Sequence, residues 1–291
     1  MIQNKVVRIG GASAFYGDSQ LAARQLVDRG EIDYLVFDYL AEATMAILAR
    51  AKMKDSSFGY AVDFVSVAMR DVLADCADKG IKIIANAGGV NVPACVTALD
   101  ALCDELGLSL KIAGVYGDDL SSRRNELGSL DLVESQTGKP FPTKPASINA
   151  YFGAAPISDA LRAGADVVVT GRVVDSAVTL GPLMYEFGWA RDDYDRLAQG
   201  SLAGHIIECG AQCTGGNYTD WHTVPRFDDI GYPIAAVSAD GSFVIELPDS
   251  SGGVVTRGSV GEQLLYEIGD PSNYLLPDVA CDFSQVSLDQ I

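Results

Sequence analysis

Residues 5–40 read KVVRIGGASAFYGDSQLAARQLVDRGEIDYLVFDYL, and this stretch decides the fold class. KVVRIGG (5–11) is an apolar run of strand type, followed by a loop of small and polar residues, ASAFYGDS (12–19). QLAARQLVDRG (20–30) carries apolar residues at helical spacing and stops at Gly30. DYLVFDYL (33–40) is a second apolar run. Near-continuous apolar strands joined by helices predict a parallel sheet covered on both faces.

The alternation continues outward from this unit. AEATMAILARA (41–51) and about Tyr60 to Lys79 read as helices, IKIIANAGG (81–89) as a strand, Pro93 to Leu106 as a helix and LKIAGVYG (110–117) as a strand. A polar stretch, Ser121 to Ser147, interrupts the pattern and contains GKPFPTKPAS. The pattern resumes with strand INAYFGA (148–154), helix Ile157 to Ala163, strand DVVVTGR (166–172), helix DSAVTLGPLMYEF (175–187) and a helical run from about Arg191 to Cys209. YPIAAVSADGSFVIELP (232–248) predicts a hairpin turning at Asp240 and Gly241, because Asp-Gly suits tight hairpin turns. SVGEQLLYEIG (259–269) reads as a helix and VACDFSQVSLDQI (279–291) as strand-like. The expected fold is α/β, an open, mostly parallel, Rossmann-like sheet with helices on both faces and a small antiparallel hairpin near the C-terminus. A (β/α) barrel gives the same alternation and is the alternative. Residues 1–225 are expected to form the core domain, with a weak boundary at 121–147. Residues 226–291, a hairpin plus helix, are expected to pack on it.

Composition narrows the function. The 291 residues carry a net charge of −18. That opposes nucleic acid and anionic membrane surfaces, which call for clustered Lys and Arg. The N-terminus lacks a signal-peptide run, and no stretch approaches the roughly 20 apolar residues of a membrane span. Six cysteines fall at irregular spacings without a C-x-x-C pair. The chain reads as cytoplasmic, with reduced thiols.

In parallel sheets, ligands bind where strands end. The residues leaving those ends are Gly10 and Gly11, Asp38, Asn86 and Gly88, and Gly117 with Asp118. The loop holding Gly10, Gly11, Ser13, Asp18 and Ser19 precedes a helix, a place that favours an anion, although it has neither G-x-G-x-x-G spacing nor a P-loop. Its structural alternative is a tight turn with Asp18 or Ser19 capping the helix. In VTGRVVDSAVTLGP, Gly171 and Arg172 leave a strand, and Asp175 or Ser176 caps the next helix. Arg172 can clamp a carboxylate or phosphate, or simply pair with Asp175. Asp18, Asp38, Asp175 and Asp220 all fall at element ends, where they cap helices or converge on one cleft for acid–base work or magnesium.

LAGHIIECGAQCTGGNYTDW (202–221) is the densest chemistry in the chain. A helix over Leu202 to Gln212 places His205, Glu208, Cys209 and Gln212 on one face, and the glycines Gly215 and Gly216 end it. Asn217 and Asp220 then lie on the loop beyond. His205, with Cys209, Cys213 and nearby His222, supplies ligand types for zinc, but the spacing matches no zinc pattern and no metal site is assigned. Cys209 is a candidate nucleophile, His205 and Glu208 candidate acids or bases.

RIGGASAFYGDS, DYLVFDYLAE, IIANAGGVN, GADVVVTGRVVDSAVTLGPL and LAGHIIECGAQCTGGNYTDW together resemble the acyclic terpene utilisation AtuA family. The resemblance implies a cytoplasmic protein of a catabolic cluster that degrades branched or unusual acids as CoA thioesters. It also implies a usual C-terminal extension beyond the end of this chain. The expected function is a lyase of hydratase type acting on a carboxylate or acyl-CoA. Arg172 and the Gly11 loop hold the anion, with Gly88, Gly171, Asp175, Ser176, Gln212, Gly215, Gly216 and Asp220 lining the site. Glu208, Asp38 or His205 moves a proton, and Asn86 or Asn217 stabilises an enolate oxygen. A non-catalytic acyl-CoA-binding or assembly subunit is the alternative, and a metal-dependent hydrolase a weaker one. No cofactor is implied beyond a CoA thioester as substrate or a divalent metal. The expected partners are that small molecule and other subunits, in a homo-oligomer or a hetero-complex.

Overall fold

A computed structural model describes residues 5–291. Strand β1 (Val6–Gly11), helix α1 (Ala22–Arg29) and strand β2 (Tyr34–Phe37) form the expected first unit, with β1 and β2 parallel. Helix α2 (Glu42–Lys54) follows, then a π-helical turn (Phe64–Met69) that runs directly into α3 (Arg70–Lys79). Strand β3 (Lys82–Ala85), helix α4 (Val92–Leu106) and strand β4 (Ile112–Val115) complete the first half. A long excursion carrying a 3-10 turn (Ser121–Arg123) and a short α5 (Arg124–Leu127) leads to α6 (Ala155–Arg162) and strand β5 (Val167–Thr170). Helices α7 (Ala177–Phe187) and α8 (Tyr194–Ile207) lead to the hairpin β6 (Ile234–Ser238) and β7 (Phe243–Glu246). Helix α9 (Arg257–Leu265) and a two-residue pair, β8 (Tyr274–Leu275) with β9 (Ala280–Cys281), follow.

The seven-stranded sheet has the order β4-β5-β3-β2-β1-β6-β7. Its first five strands are parallel and the hairpin is antiparallel, with β6 paired to β1. Among the described residues no pairing joins β4 to β7, so the sheet has two edges. Side chains alternate between the faces, as the pleat requires. Leu35, Phe37, Ile83, Val167 and Val169 meet α1, α3 and α4 in one core. Tyr34, Val36, Ile84, Val168 and Ile9 meet α6, α7 and α8 in the other.

Two strand expectations are corrected. INAYFGA does not join the sheet; it makes isolated bridges, Asp119 with Asn149 and Phe152 with Val173. The place between β3 and β4 holds one strand, and β5 fills it. In 279–291 only Ala280–Cys281 is extended and paired. Neither Asp18 nor Ser19 caps α1 with its side chain. Asp18 instead accepts the Ala14 N–H at 2.9 Å and closes the loop on itself.

The connections change sides within the sheet. The chain leaving β3 goes to α4 on one face, whereas the chain leaving the adjacent β5 goes to α7 on the other. Such a reversal opens a crevice at the carboxyl ends of the two strands. Glycines close the surrounding walls. A Cβ on Gly11 would lie 2.6 Å from the Ile207 carbonyl oxygen, so β1 and α8 meet backbone to backbone. A Cβ on Gly10 meets only methyl groups of Leu26 and Ile32, which can shift. We therefore expect Gly11→Ala to cost about 2 kcal/mol through overpacking and Gly10→Ala to cost less, as read from urea unfolding midpoints.

Candidate functional site

The crevice holds ionisable groups out of water. Asp38 follows β2, Asn86 follows β3, Arg172 and Asp175 follow β5, and Glu208 follows α8. Asp38, Asn86, Arg172, His205 and Glu208 are all buried. Asp38, Asp175 and Glu208 each present a carboxylate oxygen within 4.8 Å of the other two. Asn86 donates Nδ2–H to Asp38 Oδ1 at 2.5 Å and accepts the Tyr39 N–H at 2.7 Å. Its amide therefore orients Asp38, with the Ser13 hydroxyl donating to the Asp38 carbonyl at 2.9 Å. Arg172 donates Nη1–H to Asp175 Oδ1 at 2.6 Å, and its guanidinium lies 4.2 Å from the centroid of the Tyr151 ring. The Tyr151 hydroxyl in turn donates to Glu42 at 2.6 Å. The Arg172 Nε–H is buried without a partner.

On the far side, His205 Nδ1 lies 3.0 Å from Glu208 Oε1, and its Nε2 lies 3.3 Å from the Leu264 carbonyl oxygen. A carbonyl only accepts, so Nε2 carries a hydrogen. The proton between Nδ1 and Glu208 then belongs to the pair, as imidazolium with carboxylate or imidazole with carboxylic acid. Burial and the nearby Asp175 and Glu267 charges push Glu208 up to about 7, against the pull of His205. Burial alone would lower His205, but Glu208 and the carbonyls of Leu264 and Gln263 outweigh it and raise it. Asp38 is raised well above the usual carboxylate range by burial, then by Asp175 and Glu208; Asn86 and Arg172 only partly oppose this. Asp175 is raised by burial while Arg172 pulls it toward the ionised form.

The helix bearing His205 stops earlier than expected. α8 ends at Ile207, and Gly210, with φ +53°, begins a separate 3-10 turn, Gly210–Thr214. His205 and Glu208 share a face as expected, but Gln212 lies beyond the break. Gly215, at φ +110°, ends the second turn. Gly216, Asn217 and Asp220 are exposed outside the buried cluster, and Asn217 makes only a 3.5 Å contact with Gln212. Burial and Glu208 raise the Cys209 thiol, which disfavours the thiolate a nucleophile needs. Ser176 makes no side-chain cap, and the Arg172–Asp175 pair fixes that loop. Gly171 lies against the Asp118 carboxylate, which accepts the Arg172 N–H at 2.9 Å. Gly88 sits against the Thr170 carbonyl oxygen, holding β3 and β5 together at the crevice. Gly10 faces Leu26 in the core rather than the crevice. Ser13, Asp18 and Ser19 line a small neighbouring cleft with Tyr39 and Asp63.

Sequence reasoning missed Tyr151, Glu42 and Glu267. Glu42 ends the quoted stretch DYLVFDYLAE without being singled out there, Tyr151 sits in the stretch read as a strand, and Glu267 is a non-glycine residue at φ +60°, a conformation that flags a constrained position. A cavity of about 590 Å³ between α8, β7, α9 and residues 285–291 includes none of the three carboxylates. Asp38, Asp175 and Glu208 offer hard oxygen donors and could hold a divalent cation such as Mg²⁺ or Mn²⁺. Among the described residues, no helix is long and apolar enough to cross a membrane.

Fold and site define an α/β protein with a buried acidic centre at the switch point of a mostly parallel sheet. Residues 7–291 match the family described as Acyclic terpene utilisation family protein AtuA, and the chain belongs to it. Membership makes it a protein of a catabolic pathway. Comparisons with curated proteins and with solved structures gave no match.

The raised groups set a pH dependence. Glu208, Asp38 and His205 bind protons more tightly folded than unfolded. Their stabilisation is complete below the unfolded values and is lost as pH rises through the folded ones. Between pH 4.5 and about 7, the window set by Glu208, the unfolding midpoint should fall with rising pH. Glu208→Gln should flatten that slope in denaturation series across the window.

Proposed function

We propose that this chain is a lyase of hydratase type acting on a carboxylate or an acyl thioester. The observation that carries the reading is the Asp38–Asp175–Glu208 trio at the strand ends, with Asp38 and Glu208 buried, all three raised above the ordinary carboxylate range and Glu208 pushed up to about 7. Elimination or addition of water beside a carbonyl needs one group to give a proton and another to take one. Neighbouring carboxyl groups with different surroundings divide those roles. Asp175, in contact with Arg172, is the base that takes the proton next to the carbonyl. Glu208, raised to about 7 and so still carrying a proton in a sizeable fraction of molecules at neutral pH, gives that proton to the leaving hydroxyl, and His205 holds Glu208 in position from behind. Asp38, fixed by Asn86, supplies a second acid within reach. The unpartnered Arg172 Nε–H is a donor suited to a substrate oxygen.

A panel of enoyl thioesters and hydroxy acids, offered to the purified chain, tests this. Glu208→Gln and Asp175→Asn should each reduce kcat by about 100-fold or more, whereas Cys209→Ala should leave it nearly intact. Full turnover in Glu208→Gln would remove the assignment.

The same trio favours a second reading, metal-assisted hydrolysis, because its oxygens are spaced as cation ligands. Under that reading Mn²⁺ titrated calorimetrically into chelator-treated protein binds at one site and Asp175→Asn abolishes the binding. Absence of binding, with activity surviving chelation, leaves the lyase reading alone.

A further inference from the structure

The hairpin leaves β7 at the edge of the sheet with backbone groups free. The Ser238 N–H donates to the Ser242 carbonyl at 2.8 Å, which sets the phase of the β6–β7 ladder. In an antiparallel pair every second residue bonds its neighbour strand, and the residues between turn away. Val244 and Glu246 therefore bond β6, and Phe243 and Ile245 present their N–H and C=O groups to the open side. Among the described residues no group of the chain pairs with those four. Edge strands are commonly blunted by proline, lysine or a bulge. Residues 243–246 read FVIE, pair with β6 in unbroken register and carry none of these.

The cavity of about 590 Å³ lies beside this edge, and all four β7 residues line it. Leu202 and Ile206 of α8 and Val260 and Leu264 of α9 supply its apolar wall. Its volume falls in the range of binding pockets. The charged groups that line it are already paired, Glu246 with Arg8 and Arg257 with Asp289. The slot therefore offers no free charge to an ion and suits an uncharged occupant. Free backbone donors and acceptors beside an apolar trough fit one chemistry, an extended chain. We propose that β7 and this cavity form an acceptor site for an extended, uncharged segment of a partner polypeptide, which adds antiparallel to β7 and carries apolar side chains at alternate positions. A residue opposite Phe243 or Ile245 shares their face of the sheet and turns its own N–H and C=O toward them. The residues that pair are thus the ones whose side chains fill the cavity. Leu264 connects the slot to the acidic centre, because its carbonyl oxygen lies 3.3 Å from His205 Nε2. Occupancy therefore braces α9 behind His205.

A short synthetic peptide tests the proposal without reference to activity. The probe is an end-capped, fluorescently labelled peptide of alternating threonine and valine, titrated with the purified full chain and followed by anisotropy. It should bind saturably at one site. N-methylation of the valines removes the N–H groups that face β7 and should weaken binding about tenfold or more. N-methylation of the threonines, whose N–H groups face away, should change it by no more than about twofold. Ile245→Pro removes one outward N–H while leaving the β6 ladder intact, and should abolish binding with far-UV circular dichroism unchanged. The paired methylated peptides need no variant and stand if that protein fails to fold. Equal affinity for the two would mean an apolar pocket for a small aliphatic molecule and would overturn the proposal. No binding at about 1 mM peptide, binding retained by a folded Ile245→Pro, or a stable dimer of the chain alone that excludes the peptide would overturn it as well.

Discussion

Three carboxyl groups within 4.8 Å of one another, two of them buried and the third, Asp175, half-buried, cannot all be anions without compensation. The architecture around the crevice answers that constraint. Arg172 supplies a fixed cation to Asp175, Asn86 a neutral donor to Asp38, and His205 a shared proton to Glu208. Each partner comes from a different element, so the cluster forms only when β2, β3, β5 and α8 are assembled. Removing one partner leaves an uncompensated charge, which costs more than the pair itself contributes. The sheet order and the change of sides between β3 and β5 supply the geometry, and the side chains supply the compensation.

The break between α8 and the following 3-10 turn is part of the same arrangement. A straight helix through Gln212 would carry Cys209 and Gln212 along with Glu208. The left-handed Gly210 turns the chain away instead, leaving Glu208 as the last acidic group directed into the cluster. The thiol lies beside it with a raised pKa, which suits a packing role better than a chemical one.

Much of this was legible in the amino-acid order. Continuous apolar runs such as Tyr34–Phe37 and Val167–Thr170 announce strands buried on both faces, and Asp240-Gly241 announces the hairpin. Asp38, Asn86, Arg172, Asp175, His205 and Glu208 were visible as polar residues at element ends. Their convergence was not, because local sequence does not encode the insertion of β5 between β3 and β4. The same insertion explains why INAYFGA, apolar enough for a strand, found no place in the sheet. Asn217 and Asp220 looked equivalent to the buried aspartates in sequence, but they follow a left-handed glycine that carries them into solvent. Tyr151, Glu42 and Glu267 act through space alone, and no spacing rule points to them.

The π-helical turn before α3 holds one residue more per turn than its surroundings. That surplus is a register device. Asp63, at its start, accepts the Gly17 N–H at 3.2 Å and so ties the helix to the loop following β1. Deleting a single residue between Phe64 and Met69 would let the helix relax to ordinary winding with its two ends nearly in register, because the wide turn absorbs about one extra residue. Asp63 would then stay on its side of the axis facing Gly17, and what the deletion would remove is the widened backbone itself.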